Sequence, residues 1–411
     1  MKVFLKKHGD KLLFALTLVF LAAAFFRKET TWLPIETPAI TFTQWWESDL
    51  DKDTLRTLVK EFEALHGGIK VTLNYRSYED LRRDLFASAE IPPGTARANS
   101  VGANGVGANK IGDVVALDPL WVPELLKMGI IENRDFTLFS FVDVLYYNVS
   151  ILKEAGFSRP PKTRSEFLNY ARTLTTREGT RPTFALGIAL NANNTRGIYD
   201  DIFPWIWAAG VPLIKDRNPM VTSRQVIESL SYLAALNSEG LIAPDAFLAD
   251  NAKKLEDFTS GRTAFMVAPA LYIAQVTKHM GDDAFGITSI PAPDNYFGEP
   301  FLATAGWAFG IHSASPQLEE ARLFADFLAA NASLLSDKTG ALPKDGAPPA
   351  RDPFYSKVWD ITITGDSARD FAGLPWMELE VIFRDGLYSL FGARFSPTEI
   401  ATTIQEKLRN R

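Results

Sequence analysis

The chain has 411 residues, a length that favours two domains over one. Hydrophobic residues make up 46% and charged residues 22%, the balance of a globular protein with a real core. A net charge of -6, with no Lys/Arg run longer than two, argues against a nucleic-acid surface. The absence of cysteine excludes disulfides, thiolate metal sites, a cysteine nucleophile and a lipid-modified cysteine anchor. Four histidines (His8, His66, His279, His312) show no HxxxH or HExxH spacing, so no metal site and no cofactor are expected.

At the N-terminus, Lys2, Lys6, Lys7 and Lys11 precede an uncharged run from Leu12 to Phe26, followed by Arg27 and Lys28. This order is that of an export signal, with Ala22-Ala23-Ala24 as a cleavage point. The run is shorter than the about 20 apolar residues that span a bilayer, although flanking lysines can snorkel. Residues 1–28 therefore read as a signal peptide or an uncleaved signal anchor, and residues 29–38 as a linker with two prolines.

Ordered structure is expected from Ile40. Ile40–Thr43 alternates as a strand; Leu55, Leu58, Val59, Phe62 and Leu65 mark one apolar helix face; Ile69, Val71 and Leu73 alternate again. Such a strand–helix–strand unit implies parallel pairing with a right-handed crossover. A helix over Tyr78–Ala89 follows. The stretch from Ile91 to Lys110 (IPPGTARANSVGANGVGANK) then breaks the rhythm and reads as a surface insert. It lacks the spacing of a phosphate-binding loop.

Beyond it, Asp113–Leu117 reads as a strand, Trp121–Met128 as a helix, Phe141–Tyr147 as a strand and Val149–Ala155 as a helix. Thr163 and Glu166 have capping-box spacing before Phe167, Leu168, Ala171 and Leu174. Phe184–Ala189 is a buried strand, and Tyr199–Ala209 and Ser223–Asn237 are helices. Thr263–Val267, Ala284–Ile287 and Trp307–Ile311 are strands. Ser315-Pro316 opens a helix through Ala330, and the tail from Phe354 is mostly helical. Strands alternate with helices throughout, which defines an α/β protein.

Neither a G-x-S-x-G elbow nor an S-x-x-K/K-T-G set is present. A glycosidase needs only two placed carboxylates, and no pair among the 49 acidic residues is marked by motif. The informative pattern is aromatic residues beside polar ones near strand ends, where open α/β sheets bind ligands. Trp45, Trp46 and Glu47 follow the first strand; Asp118 and Trp121 follow the third. Trp205 and Trp207 lie near the start of a helix, Trp307 on a strand and Trp376 in the C-terminal region. Rings stack on the apolar faces of sugars while carboxylates and amides take the hydroxyls. Core packing accounts equally well for about half of the nine tryptophans. Trp205 and Trp207, two apart on a helix, face different sides, so at most one reaches a ligand.

Four ordered stretches resemble the extracellular solute-binding proteins of family 1, the maltose-binding-like group. They are FTQWW (42–46) with LVKEFE (58–63) and GIKV (68–71); VDVLYYNVSILKEAGFSRPPKTRSEFLNYARTLT (142–175), similar to the family's interdomain strand and "YYN…PPKTW-EF" signature; FTSGRTAFM (258–266), similar to "F-x-x-G-[KR]-x-A-M"; and 286–293 with Gly306-Trp307-Ala308 and the helix bearing Glu320-Ala321. The resemblance implies a two-lobed type II periplasmic-binding-protein fold, each lobe a mostly parallel sheet flanked by helices, closing at a hinge on its ligand. Residues 39–141 with 289–342 are expected to form the N-terminal lobe, and 142–288 with 343–411 the C-terminal lobe.

The resemblance implies a non-enzymatic sugar- or oligosaccharide-binding subunit of an ABC importer. Its partners would be the solute and the permease's transmembrane subunits. It would be a monomer in the periplasm, soluble or held by residues 12–26. Trp46, Glu47, Asp118, Trp121, Asp143, Tyr146, Trp205, Trp207, Trp307 and Trp376 match the regions that line the family's cleft. Where relatives present "G-P-W" or "G-x-W", this chain has Ala268-Pro269-Ala270, without the stacking ring. The alternatives are a glycoside-active enzyme, a binder of a phosphosugar, polyol or metal ion, and a sensor input. Few histidines and no cysteine weigh against the metal ion.

Overall fold

The computed structural model describes residues 37–48, 50, 52–88, 111–132, 137–177, 182–194, 196–302, 304–339, 341–343, 353–367, 371 and 374–410. The export segment and the Gly/Ala/Asn-rich insert lie outside these residues, as does all of the linker except residues 37 and 38. Ala39–Arg411 forms one compact unit.

The first elements follow the alternating pattern. Strand β1 (Ala39–Gln44) leads to helix α1 (Lys52–Leu65), β2 (Lys70–Tyr75), α2 (Tyr78–Ala87), β3 (Val114–Leu117) and α3 (Val122–Lys127). β1 runs parallel to both β2 and β3. Leu55, Leu58, Val59 and Phe62 of α1 form a buried stripe, as their spacing requires. Gly112, at a φ of +88°, brings the chain against β1 so closely that a Cβ there would sit 2.7 Å from Thr43 Oγ1.

β4 (Thr137–Asn148) is longer than the apolar run that announced it. It is followed by α4 (Val149–Glu154), α5 (Arg164–Leu174), β5 (Phe184–Gly187), α6 (Gly197–Asp201), α7 (Phe203–Trp207), α8 (Arg224–Ser238), α9 (Asn251–Thr259), β6 (Thr263–Pro269), α10 (Ile273–Met280), β7 (Phe285–Thr288) and β8 (Thr304–Ile311). Helices α11 (Leu318–Ala330), α12 (Ala332–Thr339), α13 (Pro353–Thr362), α14 (Trp376–Phe391) and α15 (Pro397–Arg409) complete it.

The main sheet runs in the order β2-β1-β3-β8-β4-β6-β5, with β7 and the short strand Leu342–Pro343 also on β4. Its parallel pairs lie in its outer parts, whereas β8 pairs antiparallel with β3 and β4, and β4 pairs antiparallel with β6 and β7. β4 therefore joins two regions. Ser140–Val142 pairs with Thr304–Gly306 and Asp143–Tyr147 with Phe265–Pro269.

Three buried clusters follow from this layout. The first gathers Ile40 to Phe141 with Trp307 to Ala341. The second runs from Leu145 to Leu408, and the third holds Val142, Val144 and Tyr146 with Phe258, Phe285 and Val358. Alternation along β4 places Leu145 in the second cluster and its neighbours Val144 and Tyr146 in the third.

Two local readings are corrected. The helix expected over Tyr199–Ala209 is two short helices that meet at Ile202, because Pro204 lacks the amide needed to continue the turn. Ser315 does not cap α11, which begins at Leu318 after Gln317. Its hydroxyl instead donates to Asp113 Oδ1 (2.6 Å), while Asp113 Oδ2 accepts from the Thr41 amide (2.7 Å), so one buried carboxylate joins β1 to the turn after β8. Thr163 does cap α5, accepting from the Glu166 amide at 3.3 Å.

Candidate ligand-binding site

A cavity of about 470 Å³ opens among the three clusters, within the usual range for small-molecule sites. Trp45, Tyr78, Asp118 and Trp307 line it from the first cluster's elements. Asn194, Arg196 and Asp200 face it from the loop after β5 and from α6; Leu271, Tyr272, Gln275 and His279 come from the turn after β6 and from α10.

The aromatic wall arises where β1 ends. Beyond Gln44 the chain bends into a short 3-10 turn at Trp46–Ser48, and consecutive side chains part. Trp45 turns to the cavity, edge-on to Tyr78 at 5.2 Å. Trp46 turns into the core, stacked flat behind Trp307 at 4.8 Å and 3° and edge-on to Phe42. Trp121 backs Tyr78 and Trp45 at 4.6 and 5.5 Å. The two wall rings are thus fixed from behind by other rings.

The polar wall is built on Arg196. Its Nη1 donates to both oxygens of Asp118 (2.9 and 3.2 Å), and its Nε and Nη2 fork onto Asp200 (2.7–3.1 Å). Its guanidinium also lies 4.9 Å from the Tyr199 ring centre. Asp118 further accepts from Tyr78 Oη (2.8 Å) and the Leu120 amide (2.8 Å). Burial and the Asp118 charge hold the Tyr78 phenol protonated. A second buried pair, Lys254 Nζ to Asp201 Oδ1 at 2.6 Å, lies within the second core's side of the molecule. Burial pushes the Asp201 carboxyl up to about 6 against the pull of Lys254. Asp143 is buried with no hydrogen-bond partner on either oxygen among the described residues, and burial followed by the Asp200 charge pushes its carboxyl well above the usual range.

Of the ten residues read from the sequence, Asp118 and Trp307 line the cavity. Trp46 and Trp121 stand behind its rings, fully buried, and Glu47 is half-buried with its amide bonded to Gln44 Oε1 (3.0 Å). Asp143 lies on β4 opposite Pro269, a lining residue, while the Tyr146 hydroxyl is used on the Pro269 carbonyl (2.8 Å). Trp205, Trp207 and Trp376 sit in the second core with no exposed surface. Trp205 meets Phe167 edge-on, and Trp207 and Trp376 close an aromatic box with Tyr199, Phe203 and Phe371. These three rings pack in the core, and none of them lines the cavity described above.

Missing from the sequence reading were Arg196, Asp200, Asn194, Tyr272, Gln275 and His279. The first three follow a strand, and the strand-end rule that flagged Asp118 applies to them equally. Two residues past Ala270, Tyr272 reaches the cavity wall from the 3-10 turn Ala270–Tyr272.

Two α/β regions joined through one long strand, with a concave aromatic and polar cavity between them, define a solute-binding protein. The chain belongs to the bacterial extracellular solute-binding proteins, whose family model matches residues 48–333. It is similar to a probable ABC transporter-binding protein of Deinococcus radiodurans, 24% identical over 304 residues (70% of this chain, 71% of that one). It is also similar to the melibiose/raffinose/stachyose-binding protein of Bacillus subtilis, 25% identical over 374 residues (86% of this chain, 84% of that one). Its fold is shared with an ABC transporter solute-binding protein from Thermotoga lettingae solved with α-D-tagatose. That match has a TM-score of 0.72 at 16% identity and covers 91% of this chain and 99% of that one.

Proposed function

We propose that the protein captures a sugar or oligosaccharide in this cavity and delivers it to an ABC permease, without altering it. The observation that carries the reading is the pairing of two walls. Trp45, Trp307 and Tyr272 offer ring faces and edges, while Asp118, Asn194, Asp200 and Gln275 offer donors and acceptors for hydroxyls. The relative from Bacillus subtilis, a binder of melibiose, raffinose and stachyose, supports the same class. In this reading the first core is the N-terminal lobe (39–141 with 289–342) and the rest the C-terminal lobe (142–288 with 343–411). The lobes move about β4, the protein acts as a monomer, and residues 1–28 export it or hold it at the membrane.

The test is calorimetric titration with melibiose, raffinose, stachyose and maltose, followed by chromatography of the recovered ligand. A saturable one-to-one isotherm with intact ligand is expected, together with a rise in unfolding temperature that grows with ligand concentration. Cleavage of a glycosidic bond would overturn the binding-only reading. Unchanged affinity in Trp307→Ala would remove the site from this cavity.

A further inference from the structure

The Arg196 centre has a consequence for which solutes enter. Its guanidinium is buried, and its donors are already placed on two carboxylates, with the Thr304 carbonyl 3.5 Å from Nη2. A forked guanidinium in this state has no second face for a carboxylate or phosphate. Among the described residues, four carboxylates (Glu79, Asp118, Asp200 and Glu256, the last also paired with Lys253 at 3.3 Å) border the cavity against that single guanidinium, and His279 is the one other basic side chain on its wall. Behind the wall, the carboxyl of Asp143 has no hydrogen-bond partner among the described residues, and the nearby buried ammonium of Lys254 is engaged by Asp201.

Building on the saccharide reading above, we propose that Arg196 sets the charge selectivity of the cavity: because Asp118 and Asp200 saturate it, the site accepts uncharged and amine-bearing saccharides and rejects acidic ones. An anionic ligand entering would meet these carboxylates while the wall's guanidinium is already engaged by two of them, and like charges in a poorly solvated space repel. An ammonium group would meet the same carboxylates as partners.

Two measurements test this. On a glycan array carrying neutral, amino and uronic-acid members of matched backbones, the full chain is expected to retain neutral and amino glycans. Uronic-acid members should bind on the order of 100-fold more weakly than their neutral parents. An acidic glycan held as tightly as its neutral parent overturns the selectivity and leaves the saccharide reading standing. An array with no bound glycan at all counts against the saccharide reading, and selectivity is then decided by the second measurement.

That measurement uses inorganic sulfate as the probe, against chloride at equal ionic strength. In D118N/D200N the freed guanidinium should take up sulfate, seen as a saturable rise in unfolding temperature that the unaltered protein lacks. If the double variant does not fold, D118N alone frees Nη1 and should show the same rise. A rise of equal size in the unaltered protein, or none in a folded variant, overturns the proposal.

Discussion

The two sides of the cavity use their tryptophans in opposite ways. On the first core's side, Trp45 and Trp307 form the wall and Trp46 and Trp121 support them. In the second core, Trp205, Trp207 and Trp376 are sealed inside, and the surface offered to the cavity is polar and charged. The difference shows that a tryptophan near a strand end can serve recognition or stability, and that the ring behind it decides which. A flat stack such as Trp46 on Trp307 holds one face and leaves the other to solvent or ligand, whereas edge-on contacts on all sides, as around Trp376, leave none.

The sharpest way to break this comparison is Trp376→Ala. Deleting a ring from the closed aromatic box should cost about 4 kcal/mol of stability in chemical denaturation. Any ligand effect should disappear once the folded fraction is corrected for. Next is Lys254→Met, which leaves Asp201 buried without its cation. About 3 kcal/mol of stability should be lost, and Lys254→Met/Asp201→Leu should recover much of it.

A smaller effect is expected from pH. Burial pushes the Glu380 carboxyl up to about 7, with Arg384 and Arg82 pulling it back. An unfolded glutamate titrates near 4.3. Between those values the folded state keeps a proton that the unfolded state releases, so this contribution is full below about pH 4 and is lost as pH rises through 7. Denaturation at pH 5 and pH 8 should differ by roughly 2–3 kcal/mol in favour of pH 5. Asp201, pushed up to about 6, acts in the same direction. E380Q should flatten most of the dependence; an unchanged slope would assign it elsewhere.

The mildest probe is Trp307→Phe, which keeps a ring on Trp46 but shrinks the cavity face. Ligand affinity should fall about tenfold, while stability changes by less than about 1.5 kcal/mol. Equal losses in both would make Trp307 a core residue like Trp376.

Most of the fold was legible because apolar periodicity and helix stops act locally. Gly129, Gly156 and Gly240 each follow a helix at positive φ, where the sequence placed the end. The family resemblance rested on the same strands. The site was less legible because it depends on side-chain direction and distant partners. Trp45 and Trp46 are adjacent and identical in type, and only the bend after Gln44 separates wall from core. Arg196 and Asp118 stand 78 residues apart, and nothing local to either marks the pairing. Pro204 sits inside the apolar run from Tyr199 to Ala209, and apolar spacing alone does not show the break beside it.

The order of strands also bears on when the first core can form. β1, β2 and β3 are made early, but β8 and α11, which supply Trp307, Phe309, Phe324 and Leu328, come nearly two hundred residues later. A chain emerging from the ribosome therefore holds half a core with its apolar face uncovered until α11 has been synthesised. Such long-range closure is slow. The N-terminal half is thus expected to stay protease-sensitive and chaperone-accessible through most of synthesis, and to become resistant only when the return strand docks.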